Sequence, residues 1–365
     1  MNLRELPPPW RLPLLLLAMA SLLGGVLGGL ARLGVAVPEV AQLRAGGHGA
    51  LMIAAFFGTV ISLERAVALH RFWPYLAPLA AGLGGLTILA GGPWWLPPLL
   101  FSLASALFCI ASVGVYRQLP AMFTLTLLLG AMAWLAGNLL WLGSGNLSAA
   151  TLLWMSFLVL TIAGERLELT RFLPPRPLAE RLFRLLLALA ATAAILLIVM
   201  PEAGSRLLAA TFLALAIWLM RYDIARRTVR QQGLTRFVAV CLLAGYAWLA
   251  SGAALGLLGA FEPGHPGRDA ALHAIFLGFV FSMVIGHAPI IFPAVMRVRI
   301  PYHPFFYLPL AALHLTLAVR LAGSLGAGLD WQQTGATMNA LSLALLVLTI
   351  LVSVGRGAAT RSSPP

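Results

Sequence analysis

Between Ala270 and Pro293 the chain runs for more than twenty residues without an Asp, Glu, Lys or Arg. At 1.5 Å rise per residue, about 20 apolar residues cross the ~30 Å hydrocarbon layer of a bilayer. Lipid offers the backbone no hydrogen bonds, so only helices and closed barrels span it. Similar apolar runs recur at about 12–31, 48–66, 75–92, 96–116, 119–142, 148–164, 182–200, 206–220, 236–258, 270–292, 305–322 and 335–354. They are continuous rather than alternating, which excludes a barrel. The expected fold is an all-α polytopic membrane protein with about twelve transmembrane helices in a single transmembrane domain, 1–365. No polar stretch is long enough to build a soluble domain, as 61% hydrophobic and 10% charged residues imply.

The net charge of +13 rests on 24 arginines and no lysine. They sit in short loops between apolar runs, not on one soluble face, so nucleic acid is not an expected partner. The expected partner is the lipid bilayer. With the N-terminus inside, 19 arginines fall on the inner side and five on the outer. That asymmetry predicts a cytoplasmic (inner) membrane protein with both termini in the cytoplasm. The first span follows Arg4 and Arg11 and lacks a clear small-residue cleavage site, so it reads as a retained helix. The loops 165–184 and 221–236 concentrate arginine. They read as solvated loops, with anionic lipid heads or a cytoplasmic partner as the alternative. Cys109 and Cys241 lie inside apolar runs without CxxC spacing and read as small buried residues.

An internal repeat is visible. Helix two ends V-I-S-L-E-R-A-V-A-L-H-R-F-W-P and helix six ends T-I-A-G-E-R-L-E-L-T-R-F-L-P. Glu64-Arg65 matches Glu165-Arg166, and Arg71-Phe72 matches Arg171-Phe172 after a one-residue slip. Helix ten gives a looser third copy, with His287 near the glutamate position. Units of about 12–116, 119–220 and 236–354, four helices each, imply a pseudo-threefold ring.

Histidines carry most of the chemistry. An ionisable group at membrane depth marks a functional site by default, although an imidazole also serves as a hydrogen-bond partner between helices. His273 and His287 are fourteen residues apart, so they share a helix face about 21 Å apart. His48 opens helix two and His273 opens helix ten, both from the outer side. Two such imidazoles supply both axial positions of a haem iron, or two ligands of copper. Met52, one turn from His48, is a third candidate ligand or plain core filler. His287 and His314 define a second, inner candidate site; alternatively, His287 satisfies a carbonyl freed near Pro289. Glu64, Arg65, Glu165 and Arg166 read as ion pairs bridging repeats, or as a proton path. Adjacent residues do not face each other on a helix. Asn138, Tyr246 and Asn339 read as interhelical hydrogen-bond partners. Nucleotide, phosphate and protease motifs are missing.

The order of helices, with histidines on the second and tenth, resembles subunit I of the haem–copper oxidases. That resemblance implies a low-spin haem on His48 and His273. The family's copper ligands on helices six and seven have no counterpart here, because neither helix carries His. G-H-G-A-L-M-I-A-A-F-F-G-T-V-I-S (47–62) and L-H-A-I-F-L-G-F-V-F-S-M-V-I-G (272–286) are more closely similar to NnrS-like twelve-helix membrane proteins. This resemblance implies haem, copper and a role in nitrosative stress.

The expected function is therefore a membrane haem, or haem–copper, protein for electron transfer or for sensing and handling nitric oxide or another small gas. A respiratory-chain or periplasmic electron-transfer partner would accompany it. The alternatives are a cofactor-free transporter or channel using a ring of Glu64, Glu165 and His287, and a structural subunit of a respiratory complex.

Overall fold

The computed structural model describes residues 5–170, 174 and 176–362. Every element among them is helical. Twelve helices are long and apolar enough to cross a membrane: α1 (Pro8–Arg32), α2 (Ala50–Leu69), α3 (Trp73–Ala90), α4 (Leu96–Gln118), α5 (Met122–Ser144), α6 (Leu147–Thr170), α7 (Pro177–Val199), α8 (Pro201–Tyr222), α9 (Gly233–Ala260), α10 (Arg268–Met296), α11 (Pro304–Ala327) and α12 (Leu329–Ala359). Each expected span overlaps one of them. The protein is an all-α polytopic membrane protein. Arg171-Phe172, part of the proposed repeat, lie outside the described residues.

Local chemistry sets the ends. Proline occupies the first turn of α1, α7 and α8, where its missing N–H costs no helical bond. Gly145, at φ 67°, takes the left-handed conformation that closes α5.

The chain divides into two compact units, residues 1–161 with 295–297, and residues 162–294 with 298–365. In the first, α4, α5 and α6 contribute an aromatic core. Trp134 and Phe157 stack with ring centroids 4.9 Å apart, and Phe108 meets both edge-on. Asn138 ties this core together. Its amide donates to Phe101 O (2.9 Å) and Ser105 Oγ (3.0 Å), and its oxygen accepts from Trp154 Nε1 at 2.9 Å. Arg11 is fully buried at the entrance to α1. It donates to Leu6 O and Val295 O and pairs with Glu5. Burial opposes the charge on Glu5, but the bond to His70 and the Arg11 guanidinium outweigh it and hold the carboxyl below its ordinary value.

In the second unit α7 and α8 form a tight hairpin, pinned by Trp218 Nε1 donating to Ala179 O at 2.9 Å. α9 packs on α8 and on the first half of α10, and α11 pairs with α12. Asn339 bonds Thr316 across that last pair at 2.7 Å. Both cysteines are free thiols.

Candidate functional site

His48 and His273 share an unusual local setting. His48 precedes a π-helical segment, Ala50–Phe57, and His273 directly precedes another, Ala274–Val280. A π-helical turn widens the helix and forfeits regular hydrogen bonding, and such turns concentrate at functional sites.

In the first unit, His48 lies against the glycine face of α1. Its Nδ1 is 2.7 Å from Gly25 O. A carbonyl only accepts, so Nδ1 carries the proton and Nε2 is the basic nitrogen. The ring rests on Gly29, where a Cβ would stand 2.8 Å from Cε1. Met52 covers Gly25 in the same way, its Sδ 2.7 Å from where a Cβ would be. Gly25 and Gly29, one turn apart on α1, thus make room for Met52 and His48. Met52 is packed on α1.

In the second unit, His273 Nδ1 is 2.8 Å from Asp269 O and 3.1 Å from Asp269 Oδ1. Here too Nδ1 is the donor and Nε2 the basic nitrogen. Asp269 is itself gripped by a bidentate Arg320, with Nε to Oδ2 at 3.0 Å and Nη2 to Oδ1 at 2.7 Å. A carboxylate behind an imidazole fixes its tautomer and raises its basicity as a ligand. The i,i+4 spacing of Asp269 and His273 carries this signal in the sequence. The Arg320 partner carries none, since that arginine reads as an ordinary outer-side charge.

His287 and His314 have other commitments. His287 Nδ1 is 2.8 Å from Met283 O, one turn back, and not on Ile285 O, the carbonyl that Pro289 leaves unpaired. Its Nε2 accepts from Arg166 Nη1 at 3.4 Å. His314 takes Trp248 Nε1 on Nδ1 at 2.7 Å, so its proton sits on Nε2, 3.5 Å from Ser282 Oγ. The two imidazoles thus have separate hydrogen-bond partners.

Arg166 belongs to a buried cluster. Its Nε donates to Asp223 Oδ2 at 3.0 Å, and Tyr246 Oη donates to the same oxygen at 2.9 Å. Asp223 Oδ1 accepts from Ala225 N at 2.6 Å. The counter-charge of Arg166 is therefore an aspartate in the turn after α8. Its only trace in the sequence is an acidic residue among arginines. Glu64 and Arg65 are half-buried in α2 and enter no hydrogen bond or ion pair among the described residues. Glu165 is half-buried beside Arg166. Among the described residues no three His, Cys, Asp or Glu side chains converge as a metal site.

No curated protein matches the chain. A family described as a domain of unknown function, DUF8744, matches residues 11–355, nearly the whole sequence, and the chain belongs to that family.

Proposed function

We propose that this is a membrane haem protein in which His48 and His273 are the residues that would hold haem, serving electron transfer or the handling of nitric oxide or another small gas. One observation carries the reading. Both histidines open a membrane helix ahead of a π-helical segment, and both donate Nδ1–H to a backbone carbonyl, which leaves Nε2 as the basic nitrogen that would ligate a metal. Haem iron would supply one-electron redox chemistry or a gas-binding centre. The chain's own residues fix ring orientation: the α1 glycines seat His48, while Asp269 and Arg320 hold His273. Copper shares the preference for imidazole, and metal analysis separates the two. The arginine asymmetry supports an inner-membrane location with cytoplasmic termini.

The test is a reduced-minus-oxidised optical spectrum of the detergent-purified protein, produced with ample haem, beside His48→Ala and His273→Ala. A haem spectrum altered or lost in both variants is expected. A colourless wild type without bound copper overturns the reading.

The buried Arg166–Asp223–Tyr246–His287 cluster favours a second reading, an ion- or proton-coupled carrier, because membrane proteins retain such groups along transport paths. It predicts proton flux in proteoliposomes that falls in His287→Ala, from a protein that carries no chromophore.

A further inference from the structure

The turn after α8 and the approach to α7 lie at the same end of their hairpin. Between them is a cavity of about 330 Å³ lined by Arg176, Arg221, Arg226, Arg227, Arg230 and Asp223. Small-molecule sites begin at about that size.

Five arginines and one aspartate line it, and that carboxylate is already spent. Asp223 Oδ2 is held by Arg166 and Tyr246, and Oδ1 by Ala225 N. None of the five arginines has an ion pair among the described residues. Two of them have internal contacts of another kind. Arg226 Nη1 donates to Arg221 O at 3.2 Å, and the Arg221 guanidinium lies 5.3 Å from the centre of the Tyr222 ring. Arg176, Arg227 and Arg230 are exposed and make no side-chain hydrogen bond among the described residues. A positive-inside bias explains arginines in a loop, but not five of them converging on one cavity, with Arg176 brought in from a different loop.

We propose that this cavity is a binding site for a phosphate-bearing anion. Guanidinium forks match phosphate oxygens bidentately, and an assembly of five offers more donors than a single phosphate needs. Two sources share the chemistry: the headgroup of an anionic phospholipid at the membrane boundary, and a soluble phosphorylated solute. The site is independent of any haem.

The test uses the full-length protein in neutral detergent, with phosphatidylglycerol, phosphatidylcholine and pyrophosphate as probes and native mass spectrometry as the readout. Three proteins are compared: the wild type, a pocket variant (Arg176→Gln, Arg227→Gln, Arg230→Gln), and a control variant (Arg71→Gln, Arg117→Gln, Arg356→Gln). The control removes the same charge at exposed arginines elsewhere. The three pocket substitutions remove no hydrogen bond from the fold, so the variant is expected to fold; the Arg227→Gln single variant repeats the test with less change. The wild type and the control are expected to bind phosphatidylglycerol or pyrophosphate, and the pocket variant to bind it at least about tenfold more weakly, since it lacks three charge-assisted hydrogen-bond donors. Displacement of bound phosphatidylglycerol by pyrophosphate, or binding of pyrophosphate alone, identifies a soluble phosphate ligand. Retention against pyrophosphate identifies a lipid headgroup. Equal binding by pocket and control variants, equal retention of phosphatidylglycerol and phosphatidylcholine with no pyrophosphate bound, or no binding at all overturns the proposal.

Discussion

Arg166 and Asp223 meet at 3.0 Å with 4% and 0% of their side chains exposed. Such a pair has lost its hydration on both sides, and its worth lies in completeness. Asp223→Asn leaves the Arg166 charge buried against a neutral amide, a change that costs about 3–5 kcal/mol in comparable buried pairs. Arg166→Met joined to Asp223→Asn is expected to lose less than the sum of the two single variants. Unfolding of the purified protein in detergent measures this as a coupling energy of more than about 1 kcal/mol. Additive losses would mean that the two side chains do not act as a pair.

The glycine face of α1 makes a sharper steric prediction. A Cβ at Gly29 would stand 2.8 Å from His48 Cε1 and 2.9 Å from Nδ1, so Gly29→Ala must push the ring off its seat. Overpacking of this kind costs about 1–3 kcal/mol. Gly46→Ala, where a Cβ meets nothing within 4 Å, is the matched control. Gly29→Ala is expected to lower the thermal midpoint and to alter any haem spectrum, while Gly46→Ala leaves both near wild type. Identical behaviour of the two variants would refute the packing of His48 on α1.

Asn138 is the polar hub of the first unit, joining α4, α5 and α6 through Phe101 O, Ser105 Oγ and Trp154 Nε1. Asn138→Leu strands the Trp154 indole N–H among apolar side chains. Interhelical hydrogen bonds inside membranes are worth about 0.6–1.7 kcal/mol each, so a loss of roughly 1–2 kcal/mol is expected. In a Trp154→Phe background the indole is absent, and Asn138→Leu should cost less. A cost as large in that background would place the effect in volume rather than in the hydrogen bond.

The membrane class, the twelve spans and the polar partners within them were legible in the sequence because each follows from short-range composition. Apolar length alone locates α10, and a lone Asn138 in an apolar run announces a buried hydrogen bond. What composition does not encode is which distant side chain answers which. Asp223, 57 residues beyond Arg166, neutralises it, while the adjacent Glu165 points along another direction of the helix. Trp248 claims His314 across 66 residues. The π-helical segments after His48 and His273 were equally silent, since their apolar sequences suit an ordinary helix. For His48 and His273 the sequence supplied residue and position, and the fold supplied the tautomer.

The last prediction concerns His273 and its carboxylate. Asp269 Oδ1 lies 3.1 Å from Nδ1, and Arg320 holds that carboxylate bidentately. An anionic partner behind a ligating imidazole increases electron donation to the metal, which favours the ferric over the ferrous state. If His273 ligates haem, Asp269→Asn therefore raises the midpoint potential, and the direction follows from the sign of the lost charge. Glu180→Gln removes the same charge from an exposed position of α7 and serves as the comparison. A redox titration of the optical spectrum reads both variants. A clear positive shift in Asp269→Asn beside a near-unchanged Glu180→Gln is the expected pattern. No shift in either, from a protein that keeps its haem, would remove His273 from the iron and leave Asp269 as the counter-ion of Arg320 alone.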